Sequence, residues 1–255
     1  MREKHEAGHM LLAKLGKKRL RPGGKRATDW LIRQAEIGTD TKILEVACNM
    51  GTTAIELAQR YKCHIIGIDL NEAALEKARR NTMEQGLTDH IQFMRGNARE
   101  LPFEDTSFDI IINEAMLTML NEKDKLKALR EYMRVLKPGG YLLTHDLIIR
   151  NDNENREQIV DRLRATIHVN ASPLTEEEWN TLLSEQGFLV KTLTGPMSLL
   201  SPTGMIRDEG FVNTLLIIKN ALKPQYRSMF LRMFQLFRRS KNQFGFIAAC
   251  SRKSF

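Results

Sequence analysis

Between residues 45 and 51 the chain reads Glu-Val-Ala-Cys-Asn-Met-Gly, an acid followed by small and turn-tolerant residues. A strand that ends in such a turn and passes into a helix brings backbone N–H groups and a helix N-terminus to a ligand. Asp69 comes 24 residues after Glu45, at the end of the run HIIGID. A carboxylate there is placed to accept both hydroxyls of a ribose. Gly96-Asn97-Ala98 offers an amide to an adenine edge, and Asn113-Glu114 ends another apolar run. His145-Asp146 interrupts the apolar stretch YLLTHDLII. A histidine titrating near neutrality with an adjacent acid could remove a proton, or Asp146 could hold a cation. Glu114 is a third candidate for acid–base work. Cys48 lies inside the first loop, but Cys63 and Cys250 are distant in sequence and no metal-ligand spacing surrounds it. A redox or nucleophilic role is not indicated for it.

The loop itself distinguishes two cofactor classes. The dinucleotide fingerprint G-x-G-x-x-G would need glycine at 47, 49 and 52, where the chain has Ala47, Asn49 and Thr52. The pattern acid-x-Gly-x-Gly-x-Gly maps instead onto Glu45, Ala47, Asn49 and Gly51, and asparagine tolerates positive φ. Nicotinamide-dependent redox chemistry is therefore disfavoured.

Elements must exist to hold these groups. Lys42–Ala47, His64–Asp69, Ile91–Met94, Ser107–Asn113, Tyr141–Leu147, Phe188–Leu193 and Phe244–Cys250 read as strands. Thr52–Tyr61, Asn71–Gly86 and Glu122–Leu136 read as helices between them, the last stopped by Pro138-Gly139-Gly140. A capping box of Thr175 and Glu178 opens a further helix that runs to Gly187. Alternating strands and helices predict an α/β, doubly wound sheet whose ligand groups share the carboxyl edge.

With these motifs in this order, the sequence resembles the class I S-adenosylmethionine-dependent methyltransferases, near the small-molecule group that includes ubiquinone and menaquinone C-methyltransferases. LEVACNMGTTAIELA, GIDLN, FMRGNARELPFEDTSFDIIINEAM and LREYMRVLKPGGYLL carry the resemblance over roughly 40–195. It implies a Rossmann-like sheet of seven strands with the last antiparallel, and S-adenosyl-L-methionine as cofactor. Carried over, Glu45, Ala47, Asn49 and Gly51 form the methionine loop. Asp69 and Leu70 flank ribose and adenine, Asn97 and Ala98 the adenine, and Asn113 the methionine side. Arg21-Pro22-Gly23-Gly24 is a loop that could fold against the cofactor's carboxylate.

The expected organisation is one methyltransferase domain over 1–255. Residues 1–38 form an N-terminal helical cap segment, 39–195 the cofactor core, 196–243 a cap insertion and 244–255 the last strand. The cap insertion holds a helix around Phe211–Leu222 and another after Pro224. The latter carries Tyr226, Met229, Phe230, Met233, Phe234 and Phe237 on one face. That face suits a packed cap, the lining of an apolar pocket, or peripheral contact with an anionic membrane.

The chain has 255 residues and a net charge of +8, unevenly spread. Residues 1–26 carry nine Lys/Arg and two acids; residues 219–255 carry nine Lys/Arg and no acid; the middle is net −8. The acidic core does not select a polyanion, so nucleic acid is not indicated by charge. Asn113-Glu114-Ala115-Met116 also lacks the Pro-Pro-aromatic element of base amino-methylating enzymes. Three cysteines, no apolar run of membrane-spanning length and no secretory signal point to a cytoplasmic protein. The function expected is methyl transfer to a small or medium-sized, apolar or anionic acceptor. The competing readings are an RNA methyltransferase and a non-catalytic S-adenosylmethionine-binding protein; oligomeric state is not legible.

Overall fold

The computed structural model describes residues 6–150 and 155–254. Its strands are β1 (Lys42–Val46), β2 (His64–Asp69), β3 (Ile91–Arg95), β4 (Phe108–Glu114), β5 (Leu136–Ile149), β6 (Phe188–Pro196) and β7 (Phe244–Lys253). They form one sheet in the order β3-β2-β1-β4-β5-β7-β6. The first five are parallel, and β7 runs antiparallel to both β5 and β6. This is the α/β, doubly wound sheet expected from the alternation of elements, in the Rossmann-like, seven-stranded form that the family resemblance implies.

The sheet is rigid because its centre is apolar on both faces. Ile110, Ile111 and Ile112 of β4 are all buried, and successive side chains of a strand point to opposite layers. On one face α2 (Gly24–Ile32) and α3 (Thr52–Tyr61) pack with Ile43 and Ile65. On the other, α5 (Glu122–Val135) and α7 (Glu176–Glu185) bury Tyr132 and Trp179. Each such large side chain contributes on the order of 2 kcal/mol by leaving water. α4 (Glu72–Glu84) is capped by Asn71, whose side chain accepts from the Ala74 N–H.

Three elements differ from expectation. β5 begins at Leu136 rather than Tyr141, because Leu136 pairs with Phe108 and the register slips before Ile110 to absorb Pro138-Gly139-Gly140. Helix α6 (Arg156–Ile167) lies where no helix was read; Ile159, Val160 and Leu163 are its buried side. Helix α8 (Pro202–Glu209) lies in the cap insertion ahead of the two helices read there, where no helix was expected. There Ser201 caps the helix and Pro202 takes its first turn, where no N–H is needed.

The cap is built from α1 (Gly8–Lys14), α8, α9 (Phe211–Ala221) and α10 (Pro224–Arg239), which share a core of Leu11, Leu15, Met205, Ile217, Phe230 and Met233. The Met/Phe face of α10 is therefore turned inward. The segment after α1 is tied to the end of α8. Glu209 accepts the Lys18 and Arg19 N–H groups, both at 3.0 Å, and the buried Lys17 ammonium at 3.3 Å. Asp208 accepts the Lys25 N–H at 2.9 Å. Gly24 sits at φ +58° with the site of a Cβ 2.1 Å from Asp208 Oδ2, so a side chain would break this junction. Among the described residues no helix is long and apolar enough to cross a membrane.

Candidate functional site

The carboxyl ends of β1, β2, β3 and β4 open into a cavity of about 680 Å³. Its floor is the loop after β1. Ala47, Asn49 and Gly51 all adopt left-handed backbone, at φ 57°, 49° and 72°. The loop thus takes the conformation that the glycine pattern encodes, with two of its three glycines replaced. The Cys48 N–H donates to the Ile68 carbonyl at 3.0 Å, and the Gly51 N–H to the Cys48 carbonyl at 2.9 Å. Glycine suits position 51, because the backbone is left-handed and a Cβ would lie 2.6 Å from the Phe93 ring, which would have to shift.

Asp69 ends β2 facing the cavity. Its Oδ2 accepts the Asn49 N–H at 3.0 Å and its Oδ1 the Asn71 N–H at 2.8 Å. One carboxylate thereby joins the β1 loop to the start of α4. Asn97 Oδ1 accepts the Arg99 N–H at 3.1 Å, fixing the turn after β3. Leu70 and Ala98 line the adjoining wall, and Leu70 is 60% exposed.

The deep end is ionic. Arg21 reaches from the N-terminal loop to pair with Glu114, and its Nη1 also donates to Thr53 Oγ1 at 2.6 Å. Both Glu114 oxygens are taken: Thr53 and Arg21 hold Oε2, while Thr28 and His145 approach Oε1. Burial pushes the Glu114 carboxyl upward, but Arg21, then His145 and Thr28, outweigh it and hold it at about 2. Glu45, which accepts the Ala54 N–H at 3.0 Å, shows the opposite balance. Burial, then the nearby Glu114 charge, pushes it up to about 8. Of these two acids one is ionised at neutral pH and the other carries a proton. The Nε and Nη2 of Arg21 are buried with no partner among the described residues. They form the side-on edge of the guanidinium that grips a carboxylate with two parallel bonds.

A second, smaller chamber of about 90 Å³ adjoins the first through shared His9, Leu20, Ala115 and Met119. Its walls are apolar, including Leu163, Met197, Met233 and Phe237, and Asp146 stands in it. Asp146 accepts the Thr118 N–H at 3.1 Å and the Leu147 N–H at 2.8 Å; burial nonetheless raises its carboxyl above the usual range. His9 on α1 faces both chambers, and its Nδ1 is buried without a partner among the described residues. Burial lowers the His9 imidazole, against a raising influence from Asp69.

Of the expected site residues, Arg21, Glu45, Ala47, Asn49, Asp69, Leu70, Asn97, Ala98 and Glu114 line the main cavity and Asp146 the smaller chamber. Three do not line either. Gly51 shapes the loop by its backbone. Asn113 is fully buried and donates to the Tyr132 hydroxyl at 2.8 Å, because strand alternation turns it toward α5 while Glu114 turns to the cavity. His145, expected as a base, is also fully buried. Its Nε2 accepts the Gly23 N–H at 2.9 Å and its Nδ1 faces Glu114 at 3.3 Å. A histidine so engaged fastens the Arg21 loop, and both nitrogens are occupied. Glu114, with four donors on it, is likewise a holder of that loop. Cys48 is buried and its thiol pushed well up by burial, so it is inert.

Sequence reasoning missed His9, Thr28 and Thr53. His9 stands alone on a short apolar helix, and nothing in its spacing signals a ligand. Thr28 and Thr53 lie in ordinary amphipathic helices; Thr28 holds Glu114, and Thr53 holds both Glu114 and Arg21.

Comparison with known proteins adds the following. Residues 43–140 match the family model described as a methyltransferase domain. An uncharacterised protein of Haemophilus influenzae is 54% identical over 98% of this chain and 99% of its own length. Methyltransferase GfsG of Streptomyces halstedii is 29% identical over 72% of this chain, which covers 66% of that protein. The crystal structure of MccD protein superposes with a TM-score of 0.73 at 21% identity, covering 93% of this chain and all of that one.

Proposed function

Since the chain belongs to the class I S-adenosylmethionine-dependent methyltransferases, we propose that it methylates a small acceptor with an apolar body, seated in the chamber beneath α1, α6 and α10. Bound S-adenosylmethionine supplies a methyl group on a sulfonium, which leaves readily, so the protein's tasks are to align the acceptor, exclude water and accept a proton where the nucleophile carries one.

In this reading Asp69 accepts the ribose hydroxyls, and Asn97 with Leu70 and Ala98 holds the adenine. The β1 loop with Glu45 surrounds the amino-acid part, and the free edge of Arg21 takes its carboxylate. The single observation that carries the reading is that edge: a buried guanidinium fixed by Glu114 on one side and unpartnered on the other, in a cavity large enough for a nucleoside cofactor. His9 supports the acceptor half, being a neutral imidazole with a free nitrogen at the junction of the chambers. Asp146 would orient a polar group of the acceptor. The chamber's chemistry does not single out the quinone subgroup that the sequence resembles. The N-terminal cations bear against an RNA substrate, because Lys17, Arg19 and Arg21 are paired internally with Glu209, Glu56 and Glu114.

Two ligands test the assignment of Arg21. S-adenosylhomocysteine carries the carboxylate, whereas methylthioadenosine has the nucleoside and sulfur without the amino-acid part. Arg21→Gln should weaken S-adenosylhomocysteine by about thirtyfold, the loss of roughly 2 kcal/mol of charged hydrogen bonding, and leave methylthioadenosine unchanged. Equal weakening of both would show that Arg21 acts on the loop and not on the carboxylate.

A further inference from the structure

The inner face of α9 (Thr214, Ile217, Ala221) packs into the cap, yet the rest of the helix is also apolar. Phe211, Val212, Leu215, Leu216, Ile218 and Leu222 are each two-fifths or more exposed, Val212 reaching 71%. At 100° per residue these six positions cover an arc of roughly 160° on the outward side. Scattered exposed apolar residues need no explanation, but a contiguous patch of this kind marks a surface that meets something. Lys219, itself exposed, lies within the arc. Lys223 directly follows Leu222, and the two helices packed against α9 carry further exposed cations, Arg207 on α8 and Arg227 and Arg232 on α10. From residue 219 to the end the sequence has nine Lys/Arg and no acid.

We infer that α9 is a membrane-docking helix, which lays its outer face into the headgroup region of an anionic bilayer. The charge pattern favours this occupant over a second copy of the chain. A two-fold self-interface brings the same patch to itself, so Lys219, inside the arc, would be buried among the partner's apolar side chains with no acid of the patch to pair with. At a bilayer the lysine stem lies along the apolar side chains and the ammonium reaches the headgroups. The surrounding arginines and lysines meet anionic phosphates at the same depth. The inward-facing Met/Phe side of α10 is already filled by the cap and takes no part. The inference stands on the helix alone and not on the acceptor.

The test is sedimentation of the full chain with vesicles of phosphatidylcholine and phosphatidylglycerol in equal parts, and with phosphatidylcholine alone. The wild type should bind the anionic vesicles, weaken at least about tenfold in their absence and weaken steeply with salt. The double variant Phe211→Ser/Leu215→Ser should lose at least about tenfold in vesicle affinity while keeping its circular dichroism and its affinity for S-adenosylhomocysteine. Lys219→Glu should weaken vesicle binding independently of any apolar truncation. Failure of the wild type to bind anionic vesicles at low salt overturns the inference. So does vesicle binding that the double variant leaves unchanged, or a concentration-dependent dimer that the double variant abolishes.

Discussion

Substituting Glu45 by glutamine probes the ionic floor of the site. The folded carboxyl is pushed up to about 8, from an ordinary 4.5, by burial and by the Glu114 charge. Glutamine has the shape of the protonated acid, and its amide oxygen still accepts the Ala54 N–H. Because the folded value is raised, the contribution of Glu45 to stability is fully present below the unfolded value. It is lost as pH rises toward the folded value, since the unfolded chain releases a proton that the folded chain retains. The window is therefore about pH 4.5 to 8. Glu114 works in a different window: its folded value is held at about 2, so its contribution is present above 4.5 and lost as pH falls through 2. At about 1.4 kcal/mol for each pH unit, the Glu45 window amounts to on the order of 5 kcal/mol at most. Relaxation and water entry reduce this to a few kcal/mol. Urea unfolding at about pH 5 and about pH 9 should show the wild type losing that much more stability than Glu45→Gln between the two. Other titrating groups cancel in the comparison. Parallel stability curves for the two proteins would refute the assignment of a buried, protonated Glu45.

Two further outcomes follow from the geometry. Gly51→Ala combines left-handed backbone with a Cβ 2.6 Å from the Phe93 ring, which must shift, and 3.3 Å from the Ala78 Cβ. It should cost about 2–4 kcal/mol in chemical denaturation and weaken cofactor binding; a loss below about 0.5 kcal/mol would mean that the loop is not held as described. His9→Gln should bind S-adenosylhomocysteine within about threefold of wild type, because His9 belongs to the acceptor side; a loss of tenfold or more by calorimetry would place it on the cofactor instead.

Much of the fold was legible because its signals are local and redundant. β4 reads as a buried strand from FDIIIN alone, and α7 announces itself through the Thr175–Glu178 capping box, which is formed. The edge groups were legible for the same reason: Glu45, Asp69, Asn97 and Glu114 each stand at a strand end. What stayed hidden depends on direction. Asn113 and Glu114 are neighbours in sequence, yet the pleat sends one to Tyr132 and the other to Arg21. His145 looks like a base until the Gly23 N–H is seen on its Nε2. That contact joins residues 122 apart in sequence, and no local pattern encodes it. Helix α8 was hidden by Pro202, a residue that breaks helices in the interior yet suits the first turn, and by Gly204, whose place is set by close packing on the Ser198 carbonyl. His9 becomes visible only once α1 has folded over the chambers.

The central claim, that the cavity at the β1–β4 edge holds S-adenosylmethionine through Asp69, is tested most directly by calorimetric titration of S-adenosylhomocysteine into wild type and Asp69→Asn. Asparagine keeps the shape and still offers an oxygen to the Asn49 or Asn71 N–H, but it removes the charge that receives two hydroxyls. The account predicts measurable binding to wild type and a loss of at least about thirtyfold in the variant, which stays folded with only the roughly 1–2 kcal/mol loss of stability that one missing backbone hydrogen bond costs. Equal affinity in the two proteins would contradict it.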